Sequence, residues 1–399
     1  MVRRTERPSC PRFGTYVGPD TYASWLGDIP AEATACVHLH VPVRRAARGR
    51  CGCSTASVPH DGQGDGYAAL LRSEIDLIAG RLEVAPQIRQ VRFTGDTSTV
   101  MVPGALAGLV AALRARFPFY PAAEIALDID PRMLTSAMIE ALGRAGVTRA
   151  RLEVPVGRDA NRRREYLEAA AEAVVGLRTA GVRGIDLDLV HDSPHRTVTS
   201  YIETVQRCLE WRPDRVAVLD CGRALAPERR RPSGVPVPDG SACRTRAEVI
   251  AGALVAVGYR WIGLDHYALP DDPMELAYAE GRLRRNLLGY TTDPCDVLLG
   301  LGASAVGELP QGYVQNEPVP RAYADRVGRG ELATARGYTQ TVEDQLRAYL
   351  GTPTMRTFTG DVGRGRRSGR GGVEGRPPST ANHRNRPAGP ERWARPLAP

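Results

Sequence analysis

In this chain of 399 residues, the side chains able to do chemistry gather just behind short apolar runs. The first such stretch is His38-Leu39-His40-Val41-Pro42-Val43-Arg44-Arg45-Ala46-Ala47-Arg48-Gly49-Arg50-Cys51-Gly52-Cys53. It sets thiols and imidazoles among arginines, so metal binding and inert burial are both open readings for its cysteines. The second is Arg92-Phe93-Thr94-Gly95-Asp96-Thr97-Ser98-Thr99, where a glycine lies among hydroxyl side chains. Acids close two further runs, in Leu127-Asp128-Ile129-Asp130 and Asp186-Leu187-Asp188-Leu189. Farther on stand Asp265-His266 and Arg285-Asn286. These either hold substrate carboxylates, for which arginine is the natural bidentate binder, or brace a closing segment.

These groups need elements to position them. Ala35–Val41, Gln90–Thr94, Glu124–Asp130, Arg149–Pro155, Gly184–Val190 and Arg215–Leu219 are short, rich in β-formers and of strand length. Helical periods fall between them. Leu70, Leu71, Ile75, Ile78 and Leu82 share one face, as do Leu106, Leu109, Val110 and Leu113. Met138, Ile139 and Leu142 mark a third helix, and Leu167, Ala171, Val174 and Leu177 a fourth. Six β-then-α units predict an α/β fold, a parallel sheet curled into a full or partial barrel with helices outside. Ligand sites in such folds lie at the strand carboxyl ends, where the groups above stand.

The expected organisation is an arm over 1–33, the barrel over 34–225, an accessory substrate-covering region over 226–350 and a disordered tail over 351–399. The accessory region is expected to mix helix and turn. The tail is rich in Arg, Gly and Pro, with too few large apolar side chains to offset its ordering entropy. It carries seven of the eight net positive charges, so the body is electrostatically ordinary and no nucleic-acid partner is expected. All 53 basic residues are Arg, a sign of coding in GC-rich DNA, and the tail reads as an out-of-frame product of such DNA. No apolar run approaches membrane-spanning length and no signal-peptide pattern opens the chain, which makes the cytoplasm the default location. Disulfides are not expected there; Cys208, Cys221, Cys243 and Cys295 read as small buried apolar residues.

The order of these motifs, from Pro11-Arg12-Phe13 and Tyr16 to about residue 345, resembles oxygen-independent coproporphyrinogen III oxidase, a radical S-adenosylmethionine (SAM) family of haem biosynthesis. The segments Asp265–Asp272 and Arg285–Thr292 carry the resemblance most specifically. It implies a partial (β/α)6 barrel holding a [4Fe–4S] cluster and SAM, with a tetrapyrrole as substrate. The implied reaction is oxidative decarboxylation of two propionates of coproporphyrinogen III, begun by a 5′-deoxyadenosyl radical, to give protoporphyrinogen IX. By the same resemblance His40, Gly52, Gly95, Asp128 and Asp188 take SAM-site positions, while Asp265, His266 and Arg285 take substrate positions.

Departures from the family pattern fall in its cofactor motifs. The cluster loop of the family has the spacing C-x3-C-x2-C, which lands here on Arg44, Arg48 and Cys51. Arginine stays protonated and has no lone pair to give a metal, so only Cys51 remains as a ligand. A rescue with Cys36, Cys51 and Cys53 would need a loop geometry that the spacing does not supply. Thr94-Gly95-Asp96-Thr97-Ser98 stands where the family has Gly-Gly-Gly-Thr-Pro, and His38 stands where it has a tyrosine. Asp128 replaces a glutamate, and Pro155 a glutamine. The family's Asn-Arg pair falls near Tyr166-Leu167. The expectation is a degenerate, C-terminally truncated member that does not bind the cluster and is inactive. The alternative is a non-catalytic tetrapyrrole- or SAM-binding protein on the same barrel.

Overall fold

A computed structural model describes Gly14 and residues 17–42, 64–95, 101–155, 160–191, 198–220, 240–263, 265–293 and 295–344. Six strands form the barrel: β1 (Thr34–Val41), β2 (Gln87–Gly95), β3 (Phe119–Ile129), β4 (Arg149–Pro155), β5 (Gly184–His191) and β6 (Arg215–Asp220). They lie side by side in sequence order and every neighbouring pair is parallel. Each of the six runs read from the sequence is a strand. Helices Gly64–Ala79, Pro103–Arg116, Ser136–Ala145, Ala160–Thr179, Val198–Leu209 and Gly240–Ala256 follow the six strands in turn. The partial (β/α)6 barrel is thus the observed architecture.

Period-2 alternation divides the two faces of the strands. Ala35, Val37, Leu39 and Val41 of β1 are almost wholly buried and join one apolar core with Leu71, Ile75, Leu106 and Leu113 of the helices. Burying one such side chain stabilises the fold by about 1.5–3 kcal/mol. The opposite face is polar: Cys36, His38, Gln90, Arg92, Glu124, Asp128, Arg149, Arg151, Asp186, Asp188 and Arg215 occupy the alternate positions. Branched apolar residues usually fill a parallel barrel, so a charged interior requires internal pairing.

The region after residue 240 departs from the expected mixture of helix and turn, because it extends the barrel sheet at both edges. Beyond β6 lie β8 (His266–Ala268) and β7 (Arg260–Gly263), each antiparallel to its neighbour. A separate hairpin pairs β9 (Arg284–Asn286) with β10 (Gly289–Thr291). Beyond β1 lie β11 (Val297–Leu301), parallel to it, and then β12 (Val306–Leu309), β13 (Gly312–Asn316) and β14 (Thr334–Thr339), all antiparallel. The six parallel strands therefore present no free edge for pairing. Among the described residues, no helix is long and apolar enough to cross a membrane.

Candidate functional site

The floor of the barrel is an unbroken chain of polar contacts. The Cys36 thiol reaches Gln90 Oε1 at 3.5 Å, and Gln90 Nε2 donates to Glu124 at 2.9 Å. Arg149 then uses three nitrogens: Nε donates to Glu124 at 2.9 Å, Nη1 to Asp186 at 2.5 Å and Nη2 to Asp272 at 3.2 Å. Asp272 also accepts from Arg215 Nε and from the backbone N–H of Met274, both at 2.7 Å, and so caps the helix Pro273–Ala279. Burial works against charge on the carboxyls, yet the arginines hold Glu124 and Asp186 below the usual carboxylate range. Asp272 belongs to the motif that carries the family resemblance, and its place is this floor.

On this floor, opening toward the strand carboxyl ends, lies a cavity of about 30 Å³ that Gln90, Glu124, Arg149, Asp186 and Arg215 help to line. Its lining includes Arg92, Asp128, Arg151, Asp188, His266 and Tyr290. Space of this size holds a water or two, so side chains fill the barrel interior here. Arg151 and Asp188 form an ion pair at 3.6 Å, too long for a hydrogen bond. His266 packs edge-on against Tyr290 at 5.1 Å, and Arg285 sits over the same ring at 5.8 Å. Burial, then the charge of Arg151, brings the His266 pKa down to about 4, so this ring is neutral at pH 7. The fold thus brings together Asp128, Asp188 and His266, with Arg285 behind Tyr290. Asp265 is not part of the cavity lining; its carbonyl accepts from the Val218 N–H at 2.8 Å and ties the start of β8 to β6.

At the carboxyl end of β1, His40 is held from two sides. Its Nδ1 contacts the Ala303 carbonyl at 2.6 Å, and its own carbonyl accepts from Tyr67 at 3.0 Å. The turn after β11 is fixed in its turn by Glu74. That carboxylate accepts from the Gly302 N–H at 2.7 Å, from Asn316 Nδ2 at 2.6 Å and from the Tyr323 hydroxyl at 2.8 Å. Gly302 has φ +100°, and a Cβ there would stand 2.3 Å from the His40 carbonyl oxygen. The motif Leu301–Ala305 therefore serves to seat His40.

Gly95 has an equally local reason to be glycine. Its φ is +90°, and a Cβ would fall 1.9 Å from the Val41 carbonyl oxygen. The close approach of β1 and β2 requires this glycine whether or not a ligand lies above it. Next to it, Thr94 Oγ1 lies 2.8 Å from His38 Nε2. Both residues depart from the family pattern, and they are partners.

The other anticipated positions, Arg44, Arg48, Cys51, Gly52 and Cys53, lie outside the described residues, as do Asp96, Pro11–Phe13 and the stretch 351–399. Sequence reasoning missed Arg149, Arg151, Glu74 and Tyr67, and gave no role to Arg92 or Tyr290 within the motifs that contain them. The available signal was charge alternating with apolar residues inside a strand, as in Arg149-Ala150-Arg151 and Asp186-Leu187-Asp188. Such a strand has a polar face turned inward.

An open barrel of six parallel strands, polar inside and armed at its strand carboxyl ends, belongs to the class of radical-SAM-type barrels. No family model matches the chain. The oxygen-independent coproporphyrinogen III oxidase of Bradyrhizobium diazoefficiens is 45% identical over 371 residues, covering 91% of this chain and 82% of the relative. The protein of the same name from Cereibacter sphaeroides is 34% identical over 361 residues, covering 88% and 79% respectively. Among solved structures, the coproporphyrinogen III oxidase of Escherichia coli, a radical SAM enzyme, superimposes with a TM-score of 0.77 at 26% identity. That match covers 88% of this chain and 82% of the other. This chain belongs to the oxygen-independent coproporphyrinogen III oxidase family.

Proposed function

We propose that this member keeps the barrel of a radical-SAM family without performing its radical reaction. One observation carries the reading: the positions of the three cluster thiolates hold Arg44, Arg48 and Cys51. A four-iron cluster of this class takes one thiolate per ligated iron, and two protonated guanidinium groups give no donor. The donor set does not fit the cluster, and without the cluster there is no electron to cleave SAM. By the same resemblance, Thr94-Gly95-Asp96-Thr97-Ser98 puts side chains into the turn that the family builds from Gly-Gly-Gly-Thr-Pro at its SAM site.

The test is anaerobic reconstitution with iron and sulfide. The expected product is colourless protein. Brown protein with about four irons per chain, the content of such a cluster, overturns the reading.

A specific feature favours retained binding of a tetrapyrrole. Arg285, Tyr290 and His266 set a cation over a phenol ring with a neutral imidazole edge-on to it, beside the cavity. A guanidinium over an aromatic face suits a macrocycle bearing propionates. Titration with coproporphyrin III, read by its absorbance, is expected to show binding that weakens at least tenfold in Arg285→Ala. Equal binding by both proteins removes this second reading and leaves the first untouched.

A further inference from the structure

His38 and His40 are alternate residues of β1, so both rings lie on the inner face, with centroids 6.0 Å apart. Both are more than nine-tenths buried. On each ring, one nitrogen has a partner and the other has none. His40 Nδ1 meets the Ala303 carbonyl, which can only accept, so the proton is on Nδ1 and Nε2 carries a bare lone pair. His38 Nε2 meets the Thr94 hydroxyl, which can accept its proton and leave Nδ1 bare. His38 Nδ1 and His40 Nε2 are buried without any hydrogen-bond partner. A buried polar atom left in that state costs about 1–3 kcal/mol.

This pattern is the one metal-binding histidines show. The ligating nitrogen is bare, while the opposite nitrogen is hydrogen-bonded to an acceptor that sets tautomer and ring orientation. Burial first, and for His38 also the neighbouring His40 and then the charge of Arg92, keeps both rings in the neutral form that a metal needs. The partner that orients His38 is Thr94, so the two departures from the family pattern together supply one ligand and its support. Among the described residues no third histidine, cysteine or carboxylate joins the pair. The remaining coordination positions would therefore be filled by water or a small ligand.

We propose that His38 Nδ1 and His40 Nε2 form a two-histidine site for a divalent first-row metal ion of the Zn²⁺ and Co²⁺ kind. Imidazole suits these borderline ions, and strand residues at i and i+2 put two rings side by side on one face. The site stands whether or not a tetrapyrrole binds.

The experiment is titration of the full chain with Co²⁺ alone, following its visible d–d absorption, beside His38→Ala, His40→Ala, the double variant and Thr94→Val. The expected result is one Co²⁺ per chain and at least tenfold weaker binding in each single alanine variant. The double variant is expected to lose little more, because two ligands of one chelate act as a unit. Thr94→Val keeps both rings and removes only the acceptor behind His38, so a tenfold or larger loss is expected there too. Undiminished Co²⁺ binding by the two alanine variants overturns the proposal. Where an alanine variant does not fold, Thr94→Val decides: a loss sustains the site and unchanged affinity removes it.

Discussion

Arg149 on β4 and Asp272, 123 residues farther along the chain, meet in the barrel floor at 3.2 Å. The contact closes the strap after β8 onto the strands and completes a network in which Arg149 faces three carboxylates. Removing the arginine takes away the cation bonded to all three of Glu124, Asp186 and Asp272, leaving Arg215 on Asp272 and the charges of Arg92 and Arg151 nearby. Arg149→Met is therefore expected to destabilise the fold by about 3–5 kcal/mol, the cost of an uncompensated buried charge. Urea unfolding checks this, and a loss below about 1 kcal/mol would show that the floor relaxes around the gap.

Glu74 predicts a dependence of stability on pH. Burial pushes its pKa up from 4.5 to about 7, despite three donors that favour the anion. The folded chain thus holds this proton more tightly than the unfolded chain does. The stabilisation is complete below about pH 4.5, is lost as pH rises toward 7 and stays absent above that. The swing amounts to roughly 3 kcal/mol. Tyr22, Tyr67 and Tyr323 face the same carboxyl, and burial keeps their phenols neutral throughout this range. Glu124 and Asp186 act in the opposite sense: their lowered pKa values stabilise above the ordinary carboxylate range, and that contribution is lost in acid. Comparing urea midpoints at pH 5 and pH 8 for wild type and Glu74→Gln isolates Glu74. The variant is expected to lose the decline between the two, and an unchanged decline assigns it to other groups.

Gly95→Ala is expected to destabilise the chain by about 3 kcal/mol, from positive φ together with overlap on backbone. Thermal melting measures it. A neutral result would mean that β1 and β2 can separate at their carboxyl ends.

Restoring thiols alone is expected to leave the chain inactive. After reconstitution, Arg44→Cys with Arg48→Cys should release little 5′-deoxyadenosine from SAM, since Asp96, Pro155 and Leu167 remain and groups of one site act as a unit. Chromatography of the products decides. Robust release would mean that the two arginines were the sole defect.

Much of this protein is legible before it folds. The runs of β-formers and the helical periods between them gave the β/α order, because period and length are local properties of a sequence. The chemistry of Arg44 and Arg48 is equally intrinsic, since no surrounding turns a guanidinium into a thiolate. Partnership was not legible. Asp272 stands in a motif that suggests substrate contact, and only the antiparallel return of β8 onto β6 carries it to Arg149. Gly95 looks like part of a cofactor turn until the Val41 carbonyl is found against it. His38 and Thr94 read as two separate losses until strand register sets them 2.8 Å apart. Local pattern determines which elements form and which face of each is polar, while the curl and register of the sheet decide which inward groups meet. Those follow from contacts between residues far apart in sequence, which no single segment contains.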